Sequence, residues 1–269
     1  TPKDKIIQKL ELHDKNLTKP KQGHTIFDDD FNNDMEDKYK SIQSELEAHK
    51  HGDHHMDRDF SKREMKQAIK HIKKSLYKST GKDGIKNWMI VHGSNALHKA
   101  LLHLYNSMWR LKCITHELYE TTLSYIYKGK GEKDELTSYR PIALTSSIIN
   151  LLKKMMLVRI AECVMPHVTA NQGGYRQGMG SKEQLWSLVE RMEIDNQKEN
   201  ELYMCATDVH KAFDQVYRKG TAYLLYVYGM RGTMLSMVNS WIMNNIVTPN
   251  WRGITGHKVC LMDNGIRQG

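Results

Sequence analysis

The stretch that decides the fold is residues 202–214, which read LYMCATDVHKAFD. Its first five residues are apolar, and an apolar run of this length is typical of a buried strand. The run ends on Thr207-Asp208, which places a carboxylate where the strand leaves the core. Mg²⁺ prefers carboxylate oxygens, so Asp208 is a candidate metal ligand, although a strand-end aspartate can equally cap a helix or lie at the surface.

Helical patterns flank this stretch on both sides. Ser181 and Gln184 form a capping box, which predicts that a helix begins there. Its apolar stripe is typical of a core-facing helix and consists of Leu185, Leu188, Val189 and Met192. Downstream, Asp214 is either a second metal ligand or the N-cap of the next helix, which we expect to end at Gly229.

Helices and strands alternate irregularly along the rest of the chain. Ser61 and Glu64 form a further capping box, and it predicts that a helix begins there. Apolar spacing predicts helices at about 61–77, 97–108 and 148–166, and alternation or short apolar runs predict strands at 123–127, 246–251 and 258–262. This order of elements, without an internal repeat, is typical of an α+β fold.

Residues up to about Phe60 are rich in charged and polar side chains. Such a stretch buries too little surface to offset its ordering entropy, so we expect a linker or a peripheral extension. Within it, residues 49–55 read HKHGDHH. This cluster is either a transition-metal site or a solvated polar segment, and its spacing matches no zinc signature.

The composition limits the class of protein. The 269 residues carry a formal net charge of +9, which favours polyanionic partners such as nucleic acid or an acidic membrane surface. The four cysteines are widely spaced without a C-x-x-C pair, which fits a reducing compartment. We find neither a membrane-spanning apolar run nor a secretory signal, so we expect a soluble protein that is not secreted. Because the chain begins with Thr1 and ends on Gly269 just after a turn-like Asn264-Gly265, we expect a fragment.

A basic segment follows the predicted strand at 123–127. Residues 128–133 read KGKGEK, and Arg140 lies shortly after them. Phosphoryl-transfer sites need positive groups that neutralise the charge on leaving pyrophosphate, and Lys128, Lys130 and Arg140 could supply them. The same residues also suit a solvated hairpin turn.

Six blocks of sequence stand in order along the chain. They are STGKDG at 79–84, YKGKG at 127–131, SYRPIALTS at 138–146, NQGGYRQG at 171–178, TDVHKAFD at 207–214 and GIRQG at 265–269. Together they resemble the reverse transcriptase domain of non-LTR retrotransposons. The resemblance implies the fingers and a partial palm of a right-hand polymerase over 79–269, with mixed helices and a small antiparallel sheet. A polar, partly helical extension at 1–78 would precede them.

The resemblance also implies roles for individual residues in catalysis. Asp208 matches the aspartate that binds both catalytic Mg²⁺ ions, and the carbonyl of Val209 matches one that faces a metal. Lys128 and Arg140 match fingers residues that hold the triphosphate of the incoming dNTP, where a guanidinium fork can bridge phosphate oxygens.

Further residues match positions around the nucleotide. Phe213 matches the aromatic that stacks under the sugar and excludes a 2′-hydroxyl, although an aromatic packed in the core is the alternative. Gln268 and Gly269 match the motif that approaches the nucleotide and the template base pair. His210 departs from the small or apolar residues common at its position, and it either perturbs the turn or points to solvent.

The implied activity is RNA-directed DNA synthesis with two Mg²⁺ ions, from dNTP, on an RNA template and a DNA primer. We expect a nuclear or cytoplasmic ribonucleoprotein without a membrane partner. The family's Y-x-D-D strand is absent from the sequence, so we expect residues 1–269 alone to be inactive. The alternative is a catalytically inactive nucleic-acid-binding remnant of such a polymerase. A third reading, a phosphohydrolase that uses the histidine cluster, requires those histidines to lie near Asp208.

Overall fold

The computed structural model describes residues 2–17, 29–209, 211–244, 246–260 and 265–267. Its helices are α1 (Pro2–Leu17), α2 (Asp29–Ala48), α3 (Lys62–Ile72), α4 (Asn87–Val91), α5 (Asn95–Arg110), α6 (His116–Tyr119), α7 (Ser147–Val164), α8 (Ser181–Gln197), α9 (Arg218–Val227) and α10 (Gly232–Met243). Its strands are β1 (Thr121–Tyr127), β2 (Tyr139–Leu144), β3 (Ile246–Trp251), β4 (Ile254–Thr255) and β5 (Val259–Cys260). The chain divides into a larger unit, Thr1–Cys163 with Lys211–Gly269, and a smaller unit, Val164–His210.

The sheet of the larger unit is mixed rather than antiparallel. β1 and β2 form an antiparallel hairpin, whereas β3 runs parallel to β1 on its other side. β4 and β5 both pair with β3 in antiparallel register. The expected antiparallel sheet is therefore wrong in one pairing, because the long connection from β1 to β3 returns the chain in the same direction.

The core of the larger unit is built mainly from helices that the apolar spacing predicts. α3, α5 and α7 lie close to their predicted bounds, and the predicted capping box is present, with the Ser61 hydroxyl accepting from the Glu64 N–H at 3.2 Å. Tyr105 and Trp109 on α5 are fully buried against α7 residues such as Leu152. α10, which no sequence pattern predicted, adds further buried side chains to this core. Among the described helices, none combines the length and apolar character needed to cross a bilayer.

Helix α2, in the N-terminal segment, packs against the larger unit, so this part of the chain is not a linker. α2 buries Met35, Tyr39 and Ile42, and the Tyr39 hydroxyl donates to the Asn239 side chain on α10 at 3.1 Å. A few apolar positions on one face are sufficient to bury α2, because that helix packs against α9 and α10, which are distant in sequence. The domain boundary near residue 79 stays a prediction.

The smaller unit contains α8 and the loops on either side of it. α8 begins at Ser181 with Gly180 in the N-cap position, and the Glu183 carboxylate accepts from the Gly180 N–H at 2.7 Å. The predicted capping box is thus wrong by one residue. The apolar stripe of α8 is also not a core face, because its four side chains are between 39% and 60% exposed.

Candidate active site

Lys128 and Arg140, the predicted phosphate ligands, lie on the β1–β2 hairpin. Ile126 stands opposite Arg140, and the pairing continues beyond β1 because the Lys128 N–H donates to the Ser138 carbonyl at 2.9 Å. Successive side chains of a strand point to opposite faces, so Ile126, Lys128 and Arg140 share one face of the hairpin. Both cations are exposed, and neither pairs with a carboxylate of the described residues. Diagonal neighbours on antiparallel strands lie about 7–8 Å apart, so the structure brings these two residues together.

The tip of this hairpin is held by hydrogen bonds within its own loop. The Tyr127 hydroxyl donates to the Gly131 carbonyl at 2.6 Å, and the Tyr139 hydroxyl donates to the Lys133 carbonyl at 2.8 Å. The Nζ of Lys128 donates to a carbonyl within the same loop at 2.6 Å. The tip therefore presents its cations on a fixed backbone.

Phe213 lies half-buried in a turn that contacts the start of the last sequence block. The Phe213 carbonyl accepts from the Ile266 N–H at 2.8 Å, and the Val216 carbonyl accepts from the Gly265 N–H at 2.8 Å. Gly265 has a φ of +88°, and a Cβ there would lie 2.8 Å from the Asp214 carbonyl oxygen, so glycine is required. The fold thus joins two blocks that are far apart in sequence.

Asp208 lies in the smaller unit, within residues 201–209, which have no regular secondary structure and exposed side chains. The predicted buried strand at 202–206 is therefore wrong for this structure. A strand is stable where neighbouring strands pair its N–H and C=O groups, and none of the described strands pairs with this segment. Val209 is 68% exposed, so the residues proposed to face a metal stand in solvent.

The described residues do not complete a metal centre. They contain no group of three or more His, Cys, Asp or Glu side chains placed to hold a metal ion. One exposed carboxylate at Asp208 does not fit a two-ion site by itself. Asp214 is not the N-cap of α9, because Tyr217 occupies that position, and its role as a second ligand stays a prediction. Three residues singled out in the sequence lie outside the described part of the chain: His210, Gln268 and Gly269.

Arg267 connects two elements in a way that the sequence did not indicate. Its guanidinium donates to the Tyr119 carbonyl at 3.1 Å and to the Thr121 hydroxyl at the start of β1. It also donates to the Asn244 carbonyl, 3.3 Å away, just beyond α10. Arg267 therefore fixes the last block against the base of the hairpin strand.

Lys153 is a second residue whose setting sequence reasoning missed. Its Nζ lies 4.6 Å from the centroid of the Trp241 ring. Burial, with repulsion from Arg267, lowers the pKa of Lys153 to about 7. It pairs with no carboxylate of the described residues. The neighbouring Lys154 is exposed, and only the packing of α7 distinguishes two lysines that look alike in sequence.

The histidine cluster belongs to a hydrogen-bond network around the buried carboxylate of Asp57. That carboxylate accepts from the Thr233 N–H at 2.7 Å and the Gly52 N–H at 3.0 Å, and it lies 2.7 Å from the His49 Nε2. The His51 Nδ1 lies 2.9 Å from the Thr233 hydroxyl. Burial raises the pKa of Asp57, but these hydrogen bonds outweigh it and hold the pKa below its ordinary value. Among the described residues the cluster forms no metal site, and its segment stays largely solvated: Lys50, Gly52, Asp53 and His55 are exposed, while His49 and His51 join the network.

The class of protein follows from the order of the motifs together with their places in the fold. A mixed sheet whose basic hairpin precedes the Thr-Asp and Gly-x-Arg-Gln-Gly blocks is compatible with a template-dependent nucleic-acid polymerase. A family model described as "Reverse transcriptase (RNA-dependent DNA polymerase)" matches residues 128–269, which is more than half of the chain. The chain belongs to the reverse transcriptase family.

Curated relatives agree with this assignment. The chain is 32% identical over 162 residues to "Probable RNA-directed DNA polymerase from transposon X-element" of Drosophila melanogaster, covering 55% of the chain and 17% of the relative. It is 29% identical over 130 residues to "RNA-directed DNA polymerase from mobile element jockey" of Drosophila funebris, covering 46% and 14%. It is 28% identical over 166 residues to "Probable RNA-directed DNA polymerase from transposon BS" of Drosophila melanogaster, covering 58% and 17%. The chain spans less than a fifth of the length of each of these relatives. Their names confirm the resemblance to non-LTR retrotransposon enzymes.

Proposed function

We propose that this chain contributes the fingers and proximal palm of an RNA-directed DNA polymerase that extends a DNA primer on an RNA template. The observation that carries the proposal is that Lys128 and Arg140, both within the matched family region, share one face of the β1–β2 hairpin. Lys128 and Arg140 stand there exposed and without carboxylate partners in the described chain. Diagonal strand positions lie about 7–8 Å apart, which is within reach of these long side chains, so the two cations can contact different phosphate groups of one triphosphate.

The two cations have complementary chemistry for a triphosphate. Arg140 offers a planar guanidinium fork that can bind two phosphate oxygens, whereas Lys128 offers a compact charge on a flexible stem. The Lys128 Nζ donates to the neutral Thr137 carbonyl at 2.6 Å, and a phosphate oxygen could replace or join that acceptor in a charge-assisted hydrogen bond. Phe213, held through its carbonyl by Ile266, would stack under the sugar, with Gln268 and Gly269 near the template base pair.

We also propose that Asp208 is a ligand of the catalytic Mg²⁺ ions, with the Val209 carbonyl as a further contact. When bound, Mg²⁺ supplies activation of the primer hydroxyl and neutralisation of pyrophosphate. The described residues hold no complete site, so additional carboxylates must come from outside them. Residues 201–209 would also need a pairing strand to fix Asp208 in place.

Nucleotide binding by the 269-residue chain tests the hairpin assignment directly. With a fluorescent dNTP analogue and Mg²⁺, Lys128→Ala and Arg140→Ala should each weaken binding about tenfold, because each removes a charge-assisted contact. Lys99→Ala, which changes an exposed lysine on α5, should leave the affinity unchanged. Equal affinities in the wild type and all three variants would overturn the assignment.

Primer extension tests the polymerase activity and separates it from the alternative. In a polymerase that contains this segment, Asp208→Asn should abolish cDNA synthesis on an RNA template while RNA binding persists. Residues 1–269 alone should give no extension with Mg²⁺, and robust synthesis by them would contradict the need for further carboxylates. RNA binding without extension by the wild-type longer protein would favour the inactive remnant.

A further inference from the structure

A row of exposed cations covers one face of α3 and the short turn after it. Six Lys or Arg side chains there are exposed, and none pairs with a carboxylate in the described part of the chain. They are Lys62, Arg63, Lys66, Lys70, Lys73 and Lys74. Between Lys62 and Lys78 the sequence holds seven Lys or Arg against one Glu, so this is a concentrated positive patch.

Helix geometry separates these cations from the core. At about 100° per residue, the cations at 62, 63, 66 and 70 fall within an arc of about 100° on the α3 surface. The buried side chains of α3 are Met65, Ala68 and Ile72, which lie on the opposite side. We call the exposed surface of Lys62, Arg63, Lys66, Gln67 and Lys70 the α3 basic face.

The single acid of α3 does not neutralise this face. The Glu64 carboxylate accepts from the Arg159 Nε at 2.8 Å and from the Ser61 N–H at 2.8 Å. Arg159 is itself buried, with its guanidinium 4.1 Å from the Phe60 ring centroid. Glu64 is therefore committed to the interior, and the outer cations keep their full charge.

The charge of the α3 basic face decides which class of ligand suits it. Four of its five residues are exposed cations, and they stand on neighbouring turns of one helix. A string of anionic groups is the ligand that this concentration of positive charge favours.

We propose that the α3 basic face binds the phosphate backbone of RNA, through residues that take no part in the nucleotide site. Lys62, Lys66 and Lys70 rise about 6 Å per step, a row of about 12 Å that spans roughly three or four phosphates of a stacked strand. Contacts from these cations to phosphate oxygens carry no sequence information, so we expect binding that is independent of sequence. The choice of RNA among polyanions rests on the proposed function.

The test compares two triple variants of the 269-residue chain that lose the same charge. Lys62→Gln/Lys66→Gln/Lys70→Gln removes the row, and Lys5→Gln/Lys9→Gln/Lys99→Gln removes three exposed lysines elsewhere. Binding of a labelled single-stranded RNA is measured by fluorescence anisotropy between about 0.05 and 0.2 M salt. The α3 variant should lose about tenfold or more in affinity and reduce the salt slope by about 2, since each phosphate contact contributes about 0.7. The RNA affinity of the control triple variant should change less than about twofold.

Each other outcome bears on the proposal. A Lys62→Arg/Lys66→Arg/Lys70→Arg variant should retain RNA binding, and circular dichroism should show native helix content in every variant. Equal losses in both Gln triples would reduce the effect to net charge and overturn the proposal. So would unchanged RNA binding combined with lost binding to phosphatidylserine vesicles, which would make the face a membrane contact. No polymerisation is measured, so failure here leaves the nucleotide and primer-extension results intact.

Discussion

Residues 49–57 and residues 201–209 differ from the burial that their compositions predict, and they differ in opposite ways. The polar segment contains Asp57, which is only 1% exposed, whereas the apolar segment leaves Tyr203 85% exposed. The Asp57 carboxylate receives hydrogen bonds from three backbone N–H groups and contacts a histidine ring, but residues 201–209 meet no described strand. Burial in these two segments therefore follows the available hydrogen-bond partners rather than local hydropathy.

The largest loss of stability should come from breaking the hydrogen-bond network around Asp57. Asp57→Ala leaves the N–H groups of Gly52, His54 and Thr233 without their acceptor. We expect the free energy of unfolding to fall by about 3–5 kcal/mol, as when one partner of a buried charged pair is removed. Chemical denaturation followed by circular dichroism measures this change. Asp37→Ala, which breaks an exposed pair with Lys40, should cost less than about 0.5 kcal/mol, and equal losses would refute the comparison.

A second effect should appear in acid. Burial raises the pKa of Glu64, but hydrogen bonds from Arg159 and Ser61 outweigh it and lower the pKa to about 2. This depressed pKa stabilises the fold fully above about pH 4.5, and the contribution is lost as the pH falls towards 2. We expect about 2–3 kcal/mol of stability to disappear over that range in denaturation curves. Glu64→Gln should flatten the loss, whereas Glu47→Gln, at an exposed position, should reproduce the wild-type curve.

Replacing Lys153 should change the free energy of unfolding by a smaller amount and in the opposite direction, towards greater stability. Its lowered pKa means that the unfolded chain holds the proton more tightly, so wild-type stability should rise between pH 7 and about pH 10.5. Lys153→Met should raise the free energy of unfolding by about 1–2 kcal/mol at neutral pH and remove that slope. The matched change Lys154→Met, at the exposed neighbour, should have an effect below about 0.5 kcal/mol. A destabilised Lys153→Met variant would show that the cation contact with Trp241 dominates.

The smallest effect should come from the apolar segment itself. Met204 is 60% exposed, so Met204→Ala should change the free energy of unfolding by less than about 0.5 kcal/mol. Met155→Ala, at a fully buried position on α7, should cost about 2–5 kcal/mol in the same denaturation experiment. A comparable cost at both positions would mean that residues 201–209 are buried in solution.

Local patterns predicted much of the helical fold. The Ser61 and Glu64 capping box and the apolar spacing beyond it located α3, and α9 is followed by Gly229, which has a φ of +92°. These signals depend on neighbours within a few residues, so they can be recognised without knowing the tertiary contacts. The α8 stripe shows the limit of such reasoning, because spacing locates a helix without stating what covers its face.

The candidate site was predictable only in part for the same reason. The alternation of β1 and the following basic residues placed Lys128 and Arg140, and the register then set both on one face. No local signal distinguishes Lys153 from Lys154 or marks Arg267 as the residue that joins β1 to the end of α10. Their settings arise from α7, α10 and the final block meeting in space.

By itself, the sequence determined the family, through six ordered blocks, together with most helix positions and the basic balance of the chain. Only the tertiary structure decided that β3 runs parallel to β1, that Asp57 is buried, and that residues 201–209 are exposed. The physical reason is that motifs and helix signals are local, whereas strand pairing and the burial of polar groups depend on partners far away along the chain.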